Sequence, residues 1–334
     1  MFKNNQGKLT TKDLARICKV SLGTIDRAFH DKPGISSATK KRILETAESM
    51  GYRPNHIGRS LQSGRTFEIG LVVHDLDNRF FSQLVNVIQQ VAWEHGYYIQ
   101  LAISLRDSER EYHIMEHMLQ RNVDGILLFP ANKDRAFAQF LHELDKPIVL
   151  MANKIDESVG VSWPFVGLNN RDVVREAIER IISKGYETIY FVAPFFDDDS
   201  HNYYEIKERY RAFLEVVDRH GIKHREFLNQ DYLEDIAALK LPGKSAFFCV
   251  SDIFALEVYN LILGSKLRIP QDVGVMGFDD IDILKYISPA LSTIKYPVSD
   301  MGEQAFHILN GLITGKRADT DHILEAEIIW RESI

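Results

Sequence analysis

Apolar positions change their period once along the chain, near residue 65. Before it they recur at helical spacing. Leu14, Ile17 and Cys18 form one stripe, and Ile25, Ala28 and Phe29 form a second; both repeat every three to four positions, as one face of a helix does. Thr10 followed three residues later by Asp13 predicts a capping box, with Asp in place of the usual Glu. Ser21 suits the cap of a second helix over about 22–29. Pro33-Gly34 breaks the chain, Ser36 opens a third helix, and Gly51 suits the left-handed turn that closes it.

After Arg65 short apolar runs alternate with amphipathic stretches. Strands are predicted at 68–74, 97–103, 125–129, 147–151, 165–168, 188–193, 246–250 and 273–278. Helices are predicted at 80–95, 108–120, 135–144, 172–183, 207–220 and 253–264. Alternation of this kind is βαβ logic, with parallel sheets covered on both faces. Two such units of about 100 to 130 residues predict two lobes. A ligand of such sheets binds beyond the strand C-termini, here in the cleft between lobes.

Composition narrows the class. The chain has 334 residues, 45 % of them apolar, enough for two or three domains with sizeable cores. No run of about 18 apolar residues exists, so no membrane partner is expected, and residues 1–14 hold no apolar stretch that serves as a signal peptide. Cys18 and Cys249 are the two cysteines, far apart. A disulfide framework is not expected, and a reducing cytoplasm fits.

Charge changes the picture more. Residues 1–65 carry 13 Lys and Arg against 5 Asp and Glu, a net of +8; the remainder carries 27 against 42, a net of −15. A basic head on an acidic body predicts that the head meets a polyanion. Two short helices joined by a tight turn, with a third behind them, make a helix-turn-helix, whose second helix enters the major groove. Leu22, Gly23, Thr24 and Arg27 are its expected exposed positions. Arg27 pairs with guanine or phosphate, and Leu22 touches thymine methyls. Ser21 and Thr24 suit phosphate beside the helix N-terminus, and Thr39 in the third helix is counted with them. The expected partner is double-stranded DNA. The plainer alternatives are a three-helix bundle without a ligand and a basic segment that only aids solubility.

The run VSLGTIDRA at 20–28, followed by YRPNHIGRSLQSGRT at 52–66 and EIGLVVHD at 68–75, resembles the lactose-repressor (LacI) family of bacterial transcription regulators. The order of motifs matches over about 9–333. The resemblance implies three parts: a helix-turn-helix domain at 1–54, a hinge helix or linker at 55–65, and an effector-binding and dimerisation domain at 66–334. Its fold is an all-α head plus an α/β two-lobed domain like periplasmic binding proteins, with parallel, Rossmann-like sheets. One lobe takes about 66–164 and 294–324; the other takes about 165–293 and 325–334. The chain is expected to cross between lobes near Pro164, Thr293 and Glu325. Asn55, Arg59 and Leu61 are then hinge contacts to DNA, with Leu61 wedging into the minor groove at a kinked base step. Gly58 and Asp26 depart from the pattern: alanine is common at the first, and glycine costs up to about 1 kcal/mol in a helix, while serine often stands at the second.

The resemblance also places an effector site. Asn78, Arg79, Phe80 and Phe81 follow the first strand, Arg79 standing where proline is usual. Arg209 begins a variant of Arg-x-x-Gly-Phe and is expected to donate to the effector. Ser251 stands where Asn is usual, Asp279 belongs to the Gly-Phe-Asp-Asp signature and accepts from hydroxyls, and Tyr232 offers another ring wall. After the strand at 147–151 the family commonly has Asp-Arg; here it is Ala152-Asn153, followed by Lys154. With Arg79, Arg209 and Lys295 nearby, the expected ligand is a sugar, a sugar phosphate or a sugar acid; the plainer reading turns Lys154 and Lys295 to solvent.

His113, Glu116 and His117 fit H-x-x-E-H, a zinc-protease pattern. Ile114, Met118 and Leu119 are expected to be the buried stripe, which leaves the two histidines on the solvated face without a third ligand. Asp197, Asp198 and Asp199 read as a solvated loop. No catalytic constellation, nucleotide fingerprint, metal set or cofactor motif is visible, so no enzyme is expected. The chain stops at Ile334 with no heptad tail, which predicts a homodimer. The leading expectation is a dimeric, effector-controlled repressor. The alternatives are a solute-binding protein of a transport system and a catabolite regulator with a phosphorylated protein co-effector.

Overall fold

The computed structural model describes residues 9–29, 33–52, 64–155, 158, 160–196, 201–316 and 321–334. The chain forms two compact units, Met1–Thr66 and Phe67–Ile334.

The first unit holds α1 (Thr11–Cys18), α2 (Leu22–Phe29) and α3 (Ser37–Ser49). The Thr10–Asp13 capping box is complete: the Asp13 N–H donates to Thr10 Oγ1 at 3.2 Å, and the Thr10 N–H donates to Asp13 Oδ2 at 3.1 Å. Lys19 then turns with φ 50°, and the chain enters α2 within three residues. Leu14, Ala15, Cys18, Ile25, Ala28, Ile43, Ala47 and Tyr52 form one small core. Ala15 is buried beside Leu14 and Cys18, whereas Ile17, expected in that stripe, is half-buried. Gly51 closes α3 with φ +63°.

In the second unit β1 (Glu68–Val73), α4 (Arg79–Glu94), β2 (Tyr98–Ile103), α5 (Ser108–Gln120), β3 (Gly125–Leu128), α6 (Arg135–Glu143), β4 (Ile148–Met151) and β5 (Phe165–Leu168) come first. Then follow α7 (Asn170–Ser183), β6 (Thr188–Val192), α8 (Tyr204–His220), β7 (Lys223–Phe227), α9 (Tyr232–Ala237), β8 (Ser245–Cys249), α10 (Asp252–Leu263) and β9 (Val273–Met276). A 3₁₀ turn (Asp282–Tyr286), β10 (Thr293–Lys295), α11 (Val298–Ile313), β11 (Asp321–Leu324) and β12 (Glu327–Ile329) complete it.

The strands make a six-stranded sheet, β11-β5-β4-β3-β1-β2, a four-stranded sheet, β7-β6-β8-β9, and an antiparallel pair, β10-β12. Both larger sheets are parallel throughout. The strand Phe165–Leu168 pairs with β4 and β11. The break between lobes therefore falls after Leu168, not near Pro164 as the sequence suggested. One apolar strand buried on both faces reads alike in either lobe, so periodicity does not locate the crossing.

Helix α11 returns to the first lobe and packs on α4. A Cβ on Gly302 would come within 2.7 Å of Val87 Cγ1, so the two helices meet at the glycine. In both large sheets the strand order reverses at one strand, β1 in the first and β6 in the second. Ligand crevices of open α/β sheets open at such switch points, beyond the strand C-termini.

Candidate functional site

Two places in the chain bring chemistry together. The first is the start of α2. Ser21 Oγ accepts from the Thr24 N–H at 3.2 Å and lies 2.9 Å from Thr24 Oγ1, which satisfies one open donor of the helix end. Ile25 and Ala28 are buried below, so the turn above them faces out. Leu22 is 46 % exposed, and Ser21, Gly23 and Arg27 are exposed while Thr24 is half-buried. Thr39 is half-buried at the start of α3, where its N–H donates to the Ser36 cap at 3.1 Å. Asn55, Arg59 and Leu61 lie outside the described residues.

The second place is a cavity of about 440 Å³ between the two lobes, at the strand C-termini. Asn78, Phe80, Phe81, Arg209, Ser251 and Asp279 line it. Phe80, Phe81 and Phe129 pack edge to face at 5.1 to 6.3 Å, with Tyr296 tilted 4.7 Å from Phe80. This gives one apolar wall with ring faces and edges.

The opposite wall is polar. Arg209 lies with its guanidinium 3.5 Å over the Phe278 ring. It donates to Asn170 Oδ1 and the Val250 carbonyl, both at 2.8 Å, and to Glu205 Oε2 at 3.2 Å. Glu205 also accepts from Tyr296 Oη at 2.9 Å. Burial raises the Glu205 carboxyl against the pull of Arg209 and these donors. Ser251 Oγ donates to Asp279 Oδ2 at 2.8 Å, and burial pushes the Asp279 carboxyl up from 3.8 to about 7.

Behind Asp279 stands Asp252, which follows Ser251 in the strand-end motif but was not counted among the expected effector residues. Its two oxygens accept from Thr293 Oγ1 at 2.6 Å and the Ile281 N–H at 2.9 Å. A Cβ on Gly277 would lie 2.1 Å from Asp252 Oδ1, so only glycine lets the strand end reach this carboxylate. The pair fixes the turn in which Asp279 has φ 115° and Asp280 φ 55°. Among the described residues, Leu105, Arg106, Ala152 and Phe195 also combine a left-handed φ with a place in the cavity lining. Side chains rarely tolerate that region, and such positions cluster where a site holds geometry against local preference.

Three expected effector residues lie elsewhere. Arg79 is drawn out to Asp282 in a bidentate pair at 3.0 and 2.7 Å. Lys154 Nζ donates to Asp321 Oδ2 at 2.8 Å, on the edge strand β11. Tyr232 turns into the core of the second lobe, its hydroxyl donating to Glu257. In each case a carboxylate, not visible as a partner in the linear sequence, takes the side chain away from the cavity. Lys295, also expected nearby, is exposed and absent from the lining.

Other lining groups had no motif to announce them. His74 is buried, with Nδ1 3.4 Å from Ser104 Oγ and Nε2 3.5 Å from Asn153 Nδ2. Burial first, then the charges of Arg106 and His201, hold its pKa well below the usual imidazole value. Asn202 reaches from the second lobe into the first. Its N–H donates to the Ala131 carbonyl at 3.0 Å, and its Nδ2 to the Asn132 and Lys154 carbonyls at 2.9 and 2.8 Å. Its carbonyl accepts from Asn153 Nδ2 at 3.0 Å. Glu111 anchors that loop from below, accepting from the Ala131 and Asn132 N–H groups at 2.7 and 2.9 Å. On the same helix Met115 and Met118 are buried, while Ile114 and Leu119, expected in the stripe, are half-buried. His113, Glu116 and His117 are exposed.

Comparison with known proteins finds matches in both regions of the chain. Residues 10–55 match the bacterial regulatory proteins, lacI family, and residues 178–334 match the periplasmic binding protein-like domain. The chain is 30 % identical over 335 residues to the HTH-type transcriptional regulator RegA of Clostridium saccharobutylicum, covering 96 % of this chain and 98 % of RegA. Among solved structures it is similar in fold to the Lac repressor dimer bound to operator and the anti-inducer ONPF, with TM-score 0.82, 20 % identity, and 98 % and 99 % of the two chains covered. It is also similar to a complex of the transcriptional regulator CelR with cellobiose, with TM-score 0.67, 22 % identity, and 98 % and 100 % covered. Full-length identity to RegA, with the head and the two-lobed body matched in their proper order, makes this chain a member of the lacI family of bacterial regulatory proteins.

Proposed function

We propose that the protein is a dimeric repressor whose α2 reads a near-palindromic operator and whose inter-lobe cavity takes a sugar or sugar derivative that changes operator affinity. The carrying observation is the exposed face of α2. Leu22, Gly23 and Arg27 face solvent, with Ile25 and Ala28 locked in the core beneath them. A recognition helix needs this division: base-edge contacts on one side, fixed packing on the other.

The cavity supports the second half of the reading. Ring faces suit the C–H surface of a sugar, and Asp279, Ser251 and Arg209 suit hydroxyls. The solved relatives with operator DNA and with cellobiose add weight to both halves. Effector binding favours one lobe arrangement by its differential affinity, and the operator favours one too; the two are linked reciprocally.

The test is selection of binding sites from random duplex DNA by the purified full-length protein. A palindrome with half-sites about one helical turn apart is expected, and sugars that bind the cavity are expected to change its affinity. Absence of any enriched sequence, with and without pooled sugars, overturns the reading.

A further inference from the structure

Glu111 is a buried carboxylate outside the cavity lining. It sits in α5, and its hydrogen bonds all go to the loop after β3. Oε1 accepts from the Ala131 N–H at 2.7 Å, and Oε2 accepts from the Asn132 N–H at 2.9 Å and from Asn132 Nδ2 at 2.8 Å. Burying a carboxylate is costly, and an apolar side chain would fill the same space without that cost. What the carboxylate adds is acceptors aimed at this loop.

The other side of the loop faces the second lobe. The peptide that links Ala131 to Asn132 gives its N–H to Glu111 and takes, at its carbonyl, the Asn202 N–H at 3.0 Å. Asn132 repeats the pattern: its side chain donates to Glu111, and its carbonyl accepts from Asn202 Nδ2 at 2.9 Å. The N–H and carbonyl of a trans peptide point opposite ways, so donor, peptide and carboxylate run head to tail. Hydrogen bonds in such a chain polarise one another, and an ionised acceptor at its end strengthens those behind it. Beyond Asn202 the chain reaches the cavity. The Asn202 carbonyl accepts from Asn153 Nδ2 at 3.0 Å, and Asn153 Oδ1 accepts from the Glu205 N–H at 3.4 Å. Asn153, Asn202 and Glu205 all line the cavity.

We infer that Glu111 is a positioning residue for the effector response: its negative charge, passed through the Ala131–Asn132 peptide, holds Asn202 and with it the approach of the two lobes at the cavity. That there is an effector response rests on the reading proposed above. A ligand that touches both walls binds best to lobes already held face to face, because otherwise part of its binding energy goes into ordering them. Glu111→Gln keeps the size of the side chain, removes the charge and turns a donor toward the donors of the loop.

Amide hydrogen exchange of the full-length protein tests this at about pH 8, above the value of about 7 to which burial lifts the Glu111 carboxyl. In Glu111→Gln the Asn202 amide, which Glu111 does not touch, is expected to exchange about tenfold faster, with the amides of β6 and β8 unchanged. Asn202→Ala reads the chain from its other end. There the Asn132 N–H is expected to exchange about fivefold faster, so the inference can fail even where Glu111→Gln does not fold. An Asn202 amide that keeps its rate in Glu111→Gln, or acceleration spread evenly over β6 and β8, overturns the inference, as does an unchanged Asn132 amide in Asn202→Ala. Calorimetric titration with D-glucose and with cellobiose supplies the functional arm. A sugar that binds the unsubstituted protein is expected to bind Glu111→Gln about fivefold or more weakly. Equal affinity leaves Glu111 an anchor of its loop and overturns its role in the response. Binding of neither sugar to the unsubstituted protein counts against the sugar-effector reading alone, and the exchange rates still decide the inference.

Discussion

The head and the cavity solve opposite problems. The α2 surface is made by eight consecutive residues whose polar groups are satisfied within one turn, as in the Ser21–Thr24 pair. The cavity is made by residues from several strand ends, and many of its polar groups find partners far along the chain, 28 residues apart in Ser251–Asp279 and 91 in Tyr296–Glu205. A local site tolerates loss of one contact; a convergent, buried one does not, because each group left behind has no water to turn to.

The sharpest break of this comparison is Arg209→Met. It leaves Glu205 buried without its cation, and a buried pair broken on one side costs about 3 to 5 kcal/mol. Calorimetric unfolding should show that loss in the two-lobed unit, with effector binding abolished and the melting of the head unaffected. Equal destabilisation of the head would contradict the local-versus-convergent distinction.

Proton linkage comes second. Burial lifts Asp279 from 3.8, and Glu111 from 4.5, to about 7 each in the folded chain. The folded state therefore holds protons that the unfolded chain has released, and this contribution to stability is present at low pH and lost as pH rises through about 7. The melting temperature of the two-lobed unit is expected to rise between about pH 8 and about pH 6.5, with a smaller rise in Asp279→Asn. Below that window the buried His74, whose pKa is depressed, acts in the opposite sense. A flat profile, unchanged by Asp279→Asn, would show that these carboxyls titrate normally.

How much of this was legible beforehand follows the same division. The head could be read closely: the Thr10–Asp13 box, the Ser36 cap and the Gly51 turn are all short-range, so adjacent letters carry the physics. The β/α alternation of the body was legible for the buried strands. The edge strand β7 was not, because Lys223, His224 and Arg225 are exposed and leave no apolar run. In the cavity, position in a motif located Asn78, Phe80, Phe81, Arg209, Ser251 and Asp279 in the lining. It misplaced Arg79, Lys154 and Tyr232, since their fates depend on Asp282, Asp321 and Glu257. Asp252 stood in the strand-end motif, but its role behind Asp279 was not legible, because that role lies in what faces it.

A smaller effect sharpens the reading of the head. Ser21→Ala and Ser36→Ala each remove one helix cap, at a cost of about 1 kcal/mol. Only Ser21 lies on the proposed DNA face, so operator affinity measured by titration is expected to fall more in Ser21→Ala at matched stability. Equal losses would remove Ser21 from that face. Smallest is Arg79→Ala. The pair with Asp282 is exposed on both sides, and such pairs contribute little to stability, so the melting temperature should not measurably change.

Asn202 also says something about how the lobes can travel. Its four hydrogen bonds join the second lobe to the loop after β3 and the turn after β4 of the first. Sliding one lobe past the other would break all four together, at roughly 1 kcal/mol net apiece. Swinging about Asn202 keeps them. A lobe motion that spares these bonds therefore has to pivot at Asn202, while the exposed Arg79–Asp282 pair between the lobes is cheap to part.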